Sequence, residues 1–348
     1  MAKVTPDSAA PRHGGDLAFA EARYGRPVGG WLDLSTGVNP NPWPVPPLST
    51  GALTRLPQPN AMARLIAAAR SAYAIEGTVE ILAVPGSELA IRLLPLVAPP
   101  GPVAIVSPTY GSHAEAWHRA GRTVATVHTL DHVPDTARVV VLANPNNPDG
   151  RRIDSAALAA EAHRLGAHGG MLVVDEAFGD VAPPDSNLEP MLAGLDAVVL
   201  RSLGKFFGLP GLRLGFVAGA PEIVGNLARL LGDWPVSGPA LEIGAAALED
   251  SDWQATTRTR LATDAMRLRD TLSGAGFTIV GSTDLFVLAA HDSAGNVHEA
   301  LARQGIWTRA FAERPDWLRF GLPSDDAGFT RLAKALETAK AAPLPTTE

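Results

Sequence analysis

Residues 200–216, LRSLGKFFGLPGLRLGF, place a single lysine, Lys205, among glycines and apolar side chains. Ser202 stands three positions before it and Arg213 eight positions after it. An ammonium in apolar surroundings loses the hydration that favours its charge. The neutral amine that results can form a Schiff base with an aldehyde. The hydroxyl and the guanidinium on either side are donors suited to a phosphate. An aldehyde and a phosphate on one small molecule are the two handles of pyridoxal phosphate. The competing reading of this stretch is a buried turn between two strands with a snorkelling lysine.

Working outward, short apolar runs precede and include this stretch between about 80 and 220: EILAVPG, PVAIVSPTY, TVATVHT, RVVVLANP, GMLVVDEAF, AVVLRSL and RLGFVAG. Helical patterns separate several of them, at Glu88–Val97, His113–Ala120 and Ser155–Leu165. Continuous Val/Ile/Leu strands alternating with helices predict an α/β fold, a mostly parallel sheet of about seven strands with helices on both faces. Ligands in such folds bind beyond the carboxyl ends of the strands. Gly86, Tyr110, Asn144, Asn147, Asp175 and Ser202 all fall there.

Before this region, residues 1–60 are rich in Gly and Pro, with a short helix expected at Leu17–Tyr24 and another over 60–75. Trp31, Leu34 and Trp43 predict that the arm docks rather than floats. After the region, a long helical stretch runs from about Pro239 to Ala275. A strand–strand–helix–strand–strand–helix order then predicts a smaller α+β domain. The expected organisation is an N-terminal arm over 1–50, packed on the small domain and the active site. A large cofactor domain follows over 51–235, then a connecting helix with the small domain over 236–348.

Composition excludes several classes. The net charge of −7 gives no basic excess for nucleic acid or an anionic membrane. Cysteine is absent, which removes disulfides, thiolate metal sites and cysteine nucleophiles. No apolar run reaches the ~20 residues of a membrane span, and the first residues lack a signal-peptide apolar region, so a cytoplasmic protein is expected. His128 and His132 lie without carboxylate support, so no metal site is expected. No G-x-G-x-x-G occurs, which disfavours a nicotinamide oxidoreductase.

The polar strand ends carry the candidate chemistry. Asp175 ends MLVVD, where a carboxylate beside buried apolar residues needs a cationic partner. A pyridinium nitrogen is such a partner, and a helix N-cap is the alternative. Glu176 is expected to point elsewhere. Asn147, in NPNNPDG, could donate to a ring hydroxyl, and Gly150 permits the turn that presents it. Tyr110 could stack on a flat ring. Gly86-Ser87-Glu88 opens a helix, whose free N–H groups could hold a phosphate.

Together, NPNNPDG, VVDEAF, SLGK, GLPGLRLGF and LRFGLP make the chain resemble the fold type I pyridoxal-phosphate enzymes. The likeness is to the branch that holds histidinol-phosphate aminotransferases and threonine-phosphate decarboxylases. The resemblance implies that Lys205 is the catalytic Schiff-base lysine. It implies that Asp175 pairs with the ring nitrogen, Asn147 with the ring hydroxyl, and that Tyr110 stacks. Gly86, Ser87, Glu88, Ser202 and Arg213 would bind the remainder of the cofactor, its phosphate above all. Arg319 would grip a substrate α-carboxylate bidentately.

The early HGG element and DEAF rather than DEAY resemble the decarboxylase side of the branch. By that likeness His13, Gly37, Asn39, Asn147 and Arg309 would approach a small phosphorylated amino-acid substrate. The alternative is an aminotransferase acting on histidinol phosphate or a similar amine. A pyridoxal-binding regulator is disfavoured, since no DNA-binding module fits before the arm. Related enzymes place a partner-subunit tyrosine near the cofactor phosphate; here Leu56 stands at that place, while the family still implies a homodimer.

Overall fold

The structure, a computed structural model, describes residues 13–183 and 186–341. Two compact units divide the chain. One runs to Asn41 and resumes at Thr259; the other is Pro42–Arg258. The end of the arm and the residues from 236 to Arg258 pack within the larger unit. Trp43 shows why: its backbone N–H donates to Phe207 O at 2.9 Å and its Nε1 to Asp250 Oδ2 at 3.0 Å. Ser49 Oγ likewise donates to Glu242 Oε2 at 2.6 Å.

In the smaller unit the chain first forms α1 (Leu17–Tyr24) and β1 (Leu32–Asp33). The larger unit begins with α2 (Thr50–Thr54) and α3 (Pro59–Ala72), then β2 (Glu80–Val84), α4 (Ser87–Val97), β3 (Val103–Val106) and α5 (Ser112–Arg119). It continues with β4 (Val124–Val127), β5 (Val139–Ala143), α6 (Ser155–Gly166), β6 (Met171–Asp175) and β7 (Ala197–Ser202). It closes with β8 (Gly215–Gly219), α7 (Pro221–Leu231) and α8 (Gly238–Glu249). The seven expected runs are the seven strands of one sheet, in the order β2-β8-β7-β6-β5-β3-β4.

From β7 to β4 every pairing is parallel; β8 alone runs antiparallel to both its neighbours. Every residue of β3, β5 and β6 is buried, as strands covered on both faces require. Val141, Val173 and Leu200 pack there with Ile91 and Leu94 of α4 and Trp117 of α5.

The expected long helix is two. Asp250 ends α8, and its carboxylate accepts from Trp253 N at 3.0 Å, capping α9 (Ser251–Gly274). The smaller unit then adds β9 (Thr278–Thr283), β10 (Phe286–Ala290), α10 (Ala294–Arg303), β11 (Ile306–Trp307), β12 (Arg309–Ala310), β13 (Trp317–Gly321) and α11 (Asp326–Ala341). The stretch GIWTRAF forms two short strands. Its first part, β11, pairs in parallel with β1 of the arm, and its second, β12, joins an antiparallel sheet β12-β13-β10-β9. Trp31 meets Trp307 edge-on at 6.3 Å and Leu34 is fully buried, so the arm docks through the residues that predicted it. Among the described residues no helix is long and apolar enough to cross a membrane.

Candidate active site

Gly86 caps α4 with a left-handed φ of 79°, which leaves the first helical N–H groups facing outward. A Cβ at Gly86 would lie 2.7 Å from Arg213 Nη2, and one at Gly215 would lie 2.7 Å from Ser87 N. Only glycine lets the helix start, β8 and the guanidinium approach this closely. Ser202 sits opposite Gly215 in the β7–β8 register. A helix N-terminus, a hydroxyl and a guanidinium therefore converge, and this donor set fits a phosphate. Arg213 holds its place in the left-handed region, φ 52° and ψ 51°, with Nη1 donating to Pro210 O at 3.1 Å. The Glu88 carboxylate is engaged otherwise: it accepts from Tyr110 Oη at 3.1 Å and Arg92 Nε at 2.8 Å. Its contribution to an anion is its backbone N–H in the first turn of α4.

Asp175, at the end of β6, is buried, and Oδ1 accepts from Ala177 N at 3.0 Å. Its Oδ2 lies 3.1 Å from Nε2 of His113, itself 1% exposed at the start of α5. The His113 ring stands edge-on to Tyr110, centroids 6.1 Å apart. Burial, foremost, pushes the Tyr110 hydroxyl pKa up, and the neighbouring Glu88 adds to it. One chain of contacts thus links Asp175, His113, Tyr110 and Glu88 at the helix start beside Gly86. The sequence reading missed His113. Its partner lies 62 residues away, and nothing local distinguishes it from a helix-start histidine.

His113→Leu comes close to the volume and removes the hydrogen bond. A hydrogen bond to a charged group is worth about 1.5–3 kcal/mol. The substitution is therefore expected to weaken pyridoxal phosphate binding about tenfold or more in a fluorescence titration. An unchanged dissociation constant would show that His113 only fills space.

Asn147 is presented by a loop that two other asparagines stiffen. Asn144 Nδ2 donates to Ile153 O at 3.1 Å, while its Oδ1 accepts from Ile153 N at 2.8 Å. Asn146 Nδ2 donates to Pro108 O at 2.7 Å, tying this loop to the one that carries Tyr110. Lys205 is half-buried, with Nζ 5.4 Å from the centroid of the Phe178 ring. The residues after it, Phe206 and Phe207, are buried and pack on Trp253 at 5.5 and 5.8 Å. Apolar anchors therefore fix the turn that carries Lys205.

The smaller unit holds the other predicted residues. His13, Ser35 and Arg309 line one cavity of about 240 Å³ together with Arg23, His298 and Thr308. Gly37, Asn39 and Arg319 are not among its lining. Asn39 is 2% exposed, and its Oδ1 accepts from Arg260 Nη2 and from Asn41 N, both at 3.0 Å. Gly14 and Gly15 serve the arm itself. A Cβ at Gly14 would lie 2.2 Å from Ser35 O, and Gly15 N donates to Ser35 Oγ at 2.7 Å.

Arg319 is buried at 7% exposure and donates from Nη2 to Ser35 O at 3.0 Å. It stands opposite Arg309 in the β12–β13 register. Burial first, and then the Arg309 charge, bring the Arg319 guanidinium down to about 10. Burial also lowers Arg309. The buried Arg319 and the half-buried Arg309 on paired strands repel, and an anion relieves that repulsion.

Over residues 58–336 the chain matches the family described as aminotransferase class I and II, and it belongs to that family. Within it, the chain is 43% identical to a threonine-phosphate decarboxylase of Sinorhizobium sp, over 93% of this chain and 97% of the relative. It is 41% identical to the threonine-phosphate decarboxylase of Pseudomonas aeruginosa, over 93% of this chain and 96% of the relative. Its fold matches the histidinol-phosphate aminotransferase of Sinorhizobium meliloti, solved in complex with pyridoxal-5'-phosphate. The TM-score is 0.76 at 20% identity, covering 97% of this chain and 98% of that one.

Proposed function

We propose that this chain is a pyridoxal-phosphate enzyme that decarboxylates L-threonine O-3-phosphate to (R)-1-aminopropan-2-yl phosphate, a step of cobalamin biosynthesis. The observation that carries the reading is the 41–43% identity to two threonine-phosphate decarboxylases over nearly the full length of each. The residues fit the cofactor: a glycine-walled phosphate cradle lies beside a buried carboxylate, and a lysine projects from an anchored turn.

When bound, the pyridoxal ring supplies an electron sink for the pair left when carbon dioxide departs. Asp175, steadied by His113, would pair with the ring nitrogen and favour its protonated form. Asn147 would donate to the ring hydroxyl and Tyr110 would stack on the ring. The backbone of Gly86, Ser87 and Glu88, with Ser202 and Arg213, holds the cofactor phosphate. Lys205 would hold the cofactor through Nζ at rest and, once the substrate amine has displaced it, its freed ammonium would supply the proton for the substrate carbon that loses its carboxylate.

In the smaller unit Arg319 takes the substrate carboxylate, and Arg309 with His13 takes the dianionic phosphate. The cavity shared by His13 and Arg309 supports that pairing. The working form we propose is a cytoplasmic homodimer. Leu56, 59% exposed, stands where relatives carry the cross-subunit tyrosine.

The deciding experiment offers the purified protein threonine phosphate and measures carbon dioxide. It then offers histidinol phosphate with 2-oxoglutarate and measures glutamate. Carbon dioxide release is the expected result. Glutamate formation without carbon dioxide release would make the chain an aminotransferase and discard the decarboxylase reading.

A further inference from the structure

The ends of β6 and β7 carry the candidate cofactor residues on one face only. Asp175 and Ser202 alternate with Glu176 and Arg201, which point to the opposite face. There Arg201, 2% exposed, meets three carboxylates that are 0–5% exposed. Its Nη2 lies 3.2 Å from Glu176 Oε2 and its Nη1 3.8 Å from Asp180 Oδ1, while Nε donates to Glu189 Oε1. The Tyr73 ring covers the guanidinium at 4.7 Å. A Cβ at Gly179 would lie 2.3 Å from Arg201 Nη1, so the turn after Asp175 is wrapped directly on this side chain. Arg258, reaching in from α9, donates from Nε to the backbone oxygen of Asp180 at 2.8 Å rather than to a carboxylate.

The charge count does not balance. Two guanidiniums, the enclosed Arg201 and the half-buried Arg258, face three carboxylates. Among the described residues, Glu176 Oε2, Asp180 Oδ2 and Glu189 Oε2 make no hydrogen bond. Buried carboxylates in excess of their cations keep protons instead of charge. Burial, and then the charge of Glu189, push Glu176 well above the usual carboxylate range. Burial likewise pushes Asp180 up to about 6, against the pull of Arg201.

We propose that Arg201 is a positioning residue: with Glu176, Asp180 and Glu189 it clamps the turn after Asp175 to the strand leading into Ser202 and Lys205, and the surplus of carboxylates in the clamp makes the stability of the fold depend on pH. The groups that face it are those named above, on the turn after β6, the 189–191 turn, β7, α9 and the end of α3. Each raised carboxyl binds its proton more tightly folded than unfolded. Its stabilisation is therefore full below the unfolded carboxylate range of about pH 4. It is lost as pH rises through the folded values, about 6 for Asp180 and that of the raised Glu176 beyond its usual range.

The test has two arms. The first follows the melting temperature of the cofactor-free protein from about pH 5 to about pH 9 for wild type and Glu189→Gln. The substitution keeps the shape and removes one surplus charge, so the decline with rising pH is expected to fall to less than half. An unchanged decline overturns the proposal. The second arm uses Arg201→Lys, which keeps the charge but not the planar fork. It is expected to raise the dissociation constant for pyridoxal phosphate about tenfold or more, and to shift the pH midpoint of the visible absorbance. A cooperatively melting Arg201→Lys protein with both quantities unchanged also overturns the proposal. If Arg201→Lys does not fold, the first arm decides alone. The second arm rests on the pyridoxal reading and the first does not. A wild type that binds no pyridoxal phosphate therefore removes that reading and leaves the melting comparison standing.

Discussion

Lys205→Ala is expected to yield a folded protein with no visible pyridoxal absorbance and no measurable turnover. The lysine is half-buried, with Nζ 5.4 Å from the centroid of the Phe178 ring. Phe206, Phe207 and Trp253 hold the turn without it. Stability should change by about 1 kcal/mol, the centre of the range for single substitutions. Turnover is another matter. Removing a group that acts covalently costs on the order of 10⁴–10⁶ in rate. Absorbance spectra and a carbon dioxide assay check both halves. A variant that keeps its colour and its turnover would take away the cofactor assignment itself.

Arg319→Met should separate binding from folding. The side chain is buried, donates to Ser35 O at 3.0 Å and faces Arg309 across the β12–β13 pair. A methionine fills similar space and removes one of two repelling charges, so the melting temperature should hold or rise. Against this stands the lost bond to Ser35 O, worth about 1 kcal/mol. Truncating one partner of a buried, hydrogen-bonded charge pair costs about 2–5 kcal/mol. Decarboxylation efficiency, kcat/KM, should accordingly drop about 10²–10³-fold. Steady-state kinetics with threonine phosphate measure it. Equal efficiency in the variant would mean that the substrate carboxylate is held elsewhere.

Much of this architecture is readable in the linear sequence because its signals are local. Seven Val/Ile/Leu runs gave seven strands, since a strand buried on both faces needs no partner in view to declare itself. Asn147, Asp175 and Lys205 stood out because each follows such a run. What stayed hidden depends on distant partners. His113 acquires its role from Asp175, and Arg201 from Glu176, Asp180 and Glu189. Glu176 could be expected to point away from Asp175 by alternation, but the cation waiting for it could not. The break at Asp250 was hidden in the same way, since one of its partners is Trp43 in the arm. Gly14 and Gly15 were visible as a motif. Their immediate reason, the Ser35 carbonyl and hydroxyl pressed against them, was not.

Arg213 carries a different lesson. A side-chain-bearing residue in the left-handed region costs roughly 1–2 kcal/mol that a glycine would not. The flanking sequence, GLPGLRLG, already uses glycine freely. At this one position the chain keeps a strained arginine, φ 52°, against the helix start at Gly86. A search for heat-tolerant variants scored on melting alone would favour replacing it, and would discard the cation that faces the cradle. Stability and ligand capture pull against each other at this residue, so it is a poor place to improve the protein.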